Sequence, residues 1–234
     1  MKIRLPYLIS NTIEDVYLFY INIKNAFYNF FHFIIEVFSF YTDNTLRKVD
    51  IELFKKYAIR DQFTVAVEES RMMFPDSKEE LTYGEAMWKS IDKVMKYIKP
   101  LPDQKFYDLG CGTGRICFLM GIKYQLKATG IELLPTFIDN ARRISHEFNL
   151  NNISFVEADW LEYDFTDADI IYIAATCLEN DTLELLKNKL EGLKKGAYIV
   201  SVSHQISSKK IQPIKKMYLP FSWGKAEVYI SKCI

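Results

Sequence analysis

Phe106-Tyr-Asp108-Leu-Gly110-Cys-Gly112-Thr-Gly114-Arg-Ile-Cys117 places three glycines at alternate positions, directly after a β-prone run that ends in an acid. A strand that reverses tightly into a helix while its backbone passes under a ligand has no room for Cβ atoms at the points of contact. Gly110, Gly112 and Gly114 meet that requirement. The helix opening near Gly114 then offers unpaired N–H groups to the ligand. In dinucleotide-binding turns the third glycine stands three places after the second. Here it stands two places after, a spacing that favours a sulfonium nucleoside.

Two further acids extend the pattern. Lys127-Ala-Thr-Gly-Ile-Glu132 is a second β-prone run, and its acid falls about twenty residues on, where an acid in such a unit hydrogen-bonds ribose hydroxyls. Glu132 is therefore the expected ribose ligand. A third run, Ile153 to Asp159-Trp160, again ends in an acid beside a large ring, suited to accepting from an adenine amine while stacking on or walling the base. Any one of these acids alone equally fits a solvated strand end or a helix cap; their occurrence in register after three successive strands singles them out.

These residues need a scaffold, and the composition supplies one. The chain has 234 residues, 49% apolar and 26% charged, with a formal net charge of zero, which is ordinary globular material with no global signal for nucleic acid. The charge is uneven: from Lys187 to the end there are ten lysines against two acids, Glu191 and Glu227. Lys209-Lys210 and Lys215-Lys216 fall in a stretch that reads as loop. That tail could face an acidic partner, or it could be a solvated surface whose lysines protect an edge strand. The cysteines, Cys111, Cys117, Cys177 and Cys233, form no C-x-x-C pair and fit reduced thiols in cytosol, with no metal framework. Met1 to Ser10 carries a proline in a very short apolar stretch and no small-residue cleavage site, so no signal peptide is expected.

Residues 1–75 are rich in aromatics and lack glycine; they are expected to form a helical accessory segment ahead of a catalytic domain at 76–234. Asn11-Thr-Ile-Glu14 resembles a helix start. From there to Tyr41 the polar residues Asn22, Asn25, Asn29, His32, Glu36 and Ser39 draw one narrow stripe at steps of three and four. A helix so patterned is expected to bury most of its girth. It could pack on the catalytic domain or on a second copy, lie at a membrane surface, span a membrane, or line a substrate groove. Its polar face lacks the basic residues usual for membrane contact, and Lys24, His32 and Glu36 interrupt a span. His32 has no second metal ligand at a suitable spacing and reads as structural.

A second helix is expected over roughly Val49–Ile59, and another opens at Thr82-Tyr-Gly-Glu85, carries Met87, Trp88, Ile91, Val94, Met95 and Ile98 inward, and ends before Pro100. Strands and helices then alternate to Val202, followed by two shorter β-prone runs around Ile211–Leu219 and Ala226–Ser231. This order specifies an α/β fold: a doubly wound, Rossmann-like, mostly parallel seven-stranded sheet with helices on both faces, its ligand across the carboxyl ends of the strands.

From Thr82 to Ser231 the chain resembles the class I S-adenosylmethionine-dependent methyltransferases, and within them the disruptor-of-telomeric-silencing type of protein-lysine methyltransferase with its short prokaryotic relatives. The resemblance rests on Tyr83-Gly-Glu85, Asp108-Leu-Gly-Cys-Gly-Thr-Gly114, Gly130-Ile-Glu132, Asp159 with its following aromatic, Leu193-Lys-Lys-Gly-Ala-Tyr-Ile-Val200-Ser, and Ser222-Trp-Gly224 followed by Val228-Tyr229. It implies S-adenosylmethionine as cofactor, with Tyr83 and Glu85 over its methionine end and Asp108 near the amino group. It also implies that Glu132 holds the ribose, Asp159 the adenine, and that Trp223 walls the acceptor channel; a hairpin ring packed on the sheet is the other reading of Trp223. Where the histone enzymes carry paired asparagines after the fourth strand, this chain has Ala174-Ala-Thr176-Cys177. The Asn or Asp followed by Pro-Pro-aromatic of base-amine methylating enzymes is absent there, and so is Pro-Cys.

Methyl transfer from a sulfonium is a direct displacement, so alignment and exclusion of water matter more than any triad. Thr176 and the carbonyls around Ala175 are the candidates for orienting a lysine amine. The partner is then a protein lysine, with a small-molecule or lipid-like acceptor, and a cofactor-binding module without catalysis, as the alternatives. A cytoplasmic location is expected, with membrane contact or self-association through the N-terminal helix left open.

Overall fold

Strands buried on both sides need apolar residues at nearly every position, and β1 (Lys105–Leu109) after its exposed Lys105, β4 (Ile170–Ile173) and β5 (Tyr198–Val202) have them, Asp108 and Ser201 being the buried polar exceptions. The computed structural model describes residues 5–74 and 84–234. With β2 (Lys127–Glu132), β3 (Ile153–Glu157), β6 (Ile211–Phe221) and β7 (Gly224–Cys233), these strands form a seven-stranded sheet of order β3-β2-β1-β4-β5-β7-β6. The first five are parallel to one another, and β7 runs antiparallel to both β5 and β6. Strand order reverses between β1 and β4, which opens a crevice at their carboxyl ends.

Alternate residues feed two cores. Phe106, Ala128, Ile170 and Val200 join Trp88, Ile91 and Met95 of α4 (Trp88–Ile98), Phe118 of α5 (Arg115–Lys123) and Phe137 of α6 (Pro135–Glu147). Tyr107, Ile131, Ile171 and Ile199 join Leu186 and Leu190 of α7 (Asn180–Leu190) on the other face. The sequence-based order of strands and helices matches this architecture. The final hairpin is longer than expected: only Ser222 and Trp223 separate β6 from β7, so Lys215 and Lys216 lie on the sheet's edge strand rather than in a loop.

The first helices differ more from expectation. α1 spans Leu5–Phe40, so Asn11 and Glu14 stand inside it and not at its start; Pro6 in the first turn is compatible with helix. α2 covers Asn44–Lys56, earlier than expected, because Asp43 caps it by accepting from the N–H groups of Thr45 and Leu46 at 2.9 and 3.0 Å. α3 (Gln62–Met73) was not anticipated at all; Asp61 caps it. α4 begins at Trp88, with Gly84 to Met87 non-helical ahead of it. Phe40, Leu46, Val49, Leu53, Tyr57, Val65 and Ala66 are buried in the same core as α4, α5 and α6.

α1 also reverses the expected burial. Part of its polar stripe faces inward: Glu36 is only 4% exposed and Asn29 and His32 are half-buried, while Asn25 and Ser39 are exposed. Many of its rings face outward, Phe27 at 71% and Phe38 at 80% exposed, whereas Phe40 is buried. The physical reason is the cation that Glu36 meets inside, Arg115, since a buried carboxylate needs a partner and a phenyl ring does not. Among the described residues, no helix is long and apolar enough to cross a membrane.

Candidate cofactor and acceptor site

Between β1 and α5 the chain turns through Gly110 and Gly114, both left-handed at φ +76° and +79°, a region side chains avoid. The two have different surroundings. Among the described residues a Cβ at position 110 would meet nothing within 4 Å, whereas one at 114 would lie 2.4 Å from the Phe155 ring. Gly110 thus has room beside it among the described residues, and Gly114 lets α5 approach β3. The turn is fastened by the N–H groups of Gly110 and Cys111, which both donate to the Ile131 carbonyl at 2.8 and 3.0 Å.

Asp108 is fully enclosed at the end of β1, paired in register with Gly130 on β2 and Tyr172 on β4. Burial, with the negative charge of Glu132, pushes its carboxyl up to about 8, and the Cys117 thiol donates to it at 3.9 Å. Among the described residues the buried Tyr172 hydroxyl has no hydrogen-bond partner. Glu132 accepts from the backbone N–H of Gly112 at 2.9 Å on one oxygen, and from Leu133 and Leu134 at 2.8 and 3.2 Å on the other. Burial raises its proton affinity, and those three N–H groups oppose the rise. Glu132 therefore does a task that its position in the sequence does not announce: it pins the glycine turn to the end of β2.

Asp159 and Trp160 follow β3 by two and three residues. Asp159 accepts from Leu161 N–H at 2.8 Å and its carbonyl from Glu162 and Tyr163, so it organises the turn after β3. Trp160 is half-buried and packs with the core on the α7 face. Next to β2, α6 has no side-chain cap of its own. Glu69 of α3 supplies one, accepting from the Thr136 N–H at 3.3 Å and from its hydroxyl.

The narrower signals meet across 137 residues. Glu85 N–H donates to the Ser222 hydroxyl at 2.9 Å, and Ser222 N–H donates to the Glu85 carbonyl at 3.1 Å. Trp223, 41% exposed, stacks on Phe221 at 4.7 Å and lies against Gly84. Tyr83 lies outside the described residues. Thr176 stands in a single 3-10 turn, Ala175–Cys177, after β4, and its hydroxyl shares a 3.1 Å hydrogen bond with that of Ser203, just beyond β5. Ser203 and Arg115 are the residues that sequence reasoning passed over. Arg115 carried the signal of a charge at the first helical position after the glycine turn; Ser203 carried none.

S-adenosylmethionine fits these residues. Among the described residues Asp108 is buried with no cation beside it and Glu132 is half-buried close by, a pair that suits a cationic ligand, and the methionine amine suits Asp108. A carboxylate offers about four acceptor positions, so Glu132 can keep its backbone bonds and still meet a ribose hydroxyl. Among the described residues no group of His, Cys, Asp and Glu is arranged to hold a metal ion.

Comparison with known proteins agrees. Residues 108–213 match the ANTKMT methyltransferase domain, and residues 63–151 match the histone methylation protein DOT1. A protein-lysine N-methyltransferase of Saccharolobus islandicus is 31% identical over 121 residues, covering 50% of this chain and 73% of that one. The H3 lysine-79-specific histone-lysine N-methyltransferase of Candida albicans is 27% identical over 143 residues; the match takes in 54% of this chain but only 11% of that protein. In fold, the chain is similar to an RNA methyltransferase of Salinibacter ruber solved with S-adenosyl-L-homocysteine (TM-score 0.52, 21% identity, 61% of this chain and 90% of that one). It is similar also to TrmN of Thermus thermophilus (TM-score 0.55, 15% identity, 71% and 53%). With the glycine turn, the acids at the ends of β1 and β2 and the sheet order, these matches show that the chain belongs to the class I S-adenosylmethionine-dependent methyltransferases, in the family that includes the Saccharolobus protein.

Proposed function

We propose that this enzyme methylates the ε-amine of a lysine in a protein substrate. The observation that carries the reading is the joining of Glu85 to Ser222 by two hydrogen bonds, one from the Glu85 N–H to the Ser222 hydroxyl and one from the Ser222 N–H to the Glu85 carbonyl. The two residues stand in the segments by which the chain resembles protein-lysine methyltransferases rather than methyltransferases at large. Similarity to the Saccharolobus enzyme supports it.

Bound S-adenosylmethionine supplies a methyl group on a positive sulfur. The protein's own tasks are to bind, align and desolvate. Asp108 holds the amino group of the cofactor and Glu132 its ribose. Tyr83 and Glu85 cover its methionine end, Asp159 and Trp160 its base. Trp223 walls the approach of the aliphatic lysine stem, and the Thr176 hydroxyl, held by Ser203, orients the nitrogen. The incoming ammonium must lose its proton before its lone pair can attack, and an apolar approach beside a positive sulfur lowers its pKa from the free value of about 10.4. Four free cysteines suit a reducing cytoplasm. The exposed rings of α1 support contact with an apolar surface, in a membrane or a second copy.

The test is to incubate purified protein and tritiated S-adenosylmethionine with whole-cell lysate, and to count protein, nucleic acid, lipid and small-molecule fractions separately. Label in a protein band that maps to lysine by mass spectrometry is the expected result. Label confined to any other fraction overturns the lysine assignment while leaving methyl transfer in place.

A further inference from the structure

Arg115 is the first residue of α5, immediately after Gly114, and three carboxylates from three separate segments converge on it. Its Nη2 donates to Glu36 of α1 at 2.9 Å, its Nε to Asp50 of α2 at 2.8 Å, and its Nε lies 3.9 Å from Glu85. The guanidinium stacks over Trp88 at 4.3 Å, and the Arg115 carbonyl accepts from the Trp88 indole N–H at 2.9 Å. The carboxylates are tied in turn: Glu36 accepts from Lys89 N–H at 3.1 Å and Asp50 from the Tyr41 hydroxyl at 2.8 Å.

Stability alone is a poor account of this arrangement. Burying a guanidinium with its carboxylates costs desolvation that their attraction only roughly offsets, and apolar packing would serve as well. What a planar, forked cation among fixed acceptors does provide is a single geometry. That geometry is imposed at the junction of the glycine turn and α5 and on the segment carrying Glu85.

We propose that Arg115 is a positioning residue for the cofactor, through which Glu36 of α1 and Asp50 of α2 hold the glycine turn and Glu85 in their binding geometry. The helices ahead of the sheet thereby set cofactor affinity although none of their residues has been assigned to the cofactor.

The test uses the full chain and S-adenosylhomocysteine as probe, by titration calorimetry at a temperature where circular dichroism shows every variant folded. Glu36→Gln keeps the shape and removes the charge. It should weaken binding about tenfold and raise KM for the cofactor, while kcat at saturating cofactor stays within about twofold of the parent. Leu53→Ala, which opens a cavity in the core under α2 and alters none of these charges, should lower the melting temperature and leave affinity unchanged. Equal affinity of Glu36→Gln and the parent overturns the proposal, as does equal weakening by Leu53→Ala. Hydrogen exchange on the unmutated protein reads the same coupling from the other side, because linkage is reciprocal. Probe binding should slow exchange at the α1 carboxyl end and around Asp50; binding without that protection overturns the proposal. Failure of the unmutated protein to bind the probe would instead count against the site assignment.

Discussion

The ring of Trp223 lies so close over Gly84 that a Cβ on residue 84 would stand 2.6 Å from its Cε3 and 2.7 Å from its Cζ3. Two sequence signals 139 positions apart are thus one surface. Gly84→Ala must push the indole off Phe221, on which it stacks. The expected outcome is a loss of about 1 kcal/mol in stability from overpacking, with a shift in tryptophan fluorescence. Acceptor turnover should fall about tenfold while cofactor affinity is nearly kept. Turnover equal to the parent's would remove Trp223 from the acceptor channel.

Asp108 gives a pH dependence with a definite sign. Its folded pKa of about 8 stands far above the ordinary aspartate value, through burial and then the charge of Glu132. The folded protein therefore holds a proton that the unfolded chain gives up near pH 4. Cofactor-free stability should fall as pH rises between the two values, by about 1.4 kcal/mol per pH unit at mid-window. Asp108→Asn should flatten that slope. A cofactor amine bound beside Asp108 favours the ionised form, so binding at pH 7 should release about one proton, measurable by calorimetry in buffers of different ionisation enthalpy. The Asn variant should release none.

The sheet was legible in the sequence because glycine and acid punctuation recur at the end of each early strand, and because strands buried on both faces are continuous apolar runs. Before residue 75 the long first helix was legible, but its orientation, the bounds of α2 and the existence of α3 were not. α2 and α3 owe their starts to Asp43 and Asp61, single capping residues in polar surroundings. The orientation of α1 depends on Arg115, 79 positions beyond Glu36, and no local pattern reports so distant a partner. Glu132 was found as an acid in the right place, yet its hold on Gly112 is a matter of geometry alone. Ser203 had no signal beyond its position after a strand, since one hydroxyl residue looks like another until Thr176 is seen beside it.

Asp43 offers a check on the first helices that leaves the site untouched. Its carboxylate satisfies two of the free N–H groups at the start of α2. Asp43→Ala should cost about 1 kcal/mol, lowering the melting temperature by about 2–4 °C for a chain of this size. Cofactor affinity should remain that of the parent at temperatures where the variant is folded. An unchanged melting temperature would mean that the cap contributes nothing to the stability of the fold.

Glu132 combines two roles that substitution can separate. As a tether it accepts from Gly112, Leu133 and Leu134, and as a ligand it is proposed to meet the ribose. Glu132→Gln keeps an acceptor oxygen for one set of these bonds but turns the other position into a donor facing an N–H, and it removes the charge. Charge-assisted bonds are worth about 1.5–3 kcal/mol each, so the Gln variant should bind cofactor about 10- to 100-fold more weakly, and Glu132→Ala more weakly still. The two roles part when the ligand loses its ribose hydroxyls. A 2′,3′-dideoxy analogue should bind the parent weakly and be almost insensitive to Glu132→Gln if ribose contact dominates. It should lose the same factor as the intact nucleoside if the effect runs through the turn. Equal affinity of the parent for intact and dideoxy ligands would end the ribose assignment and leave Glu132 as the clasp of the glycine turn.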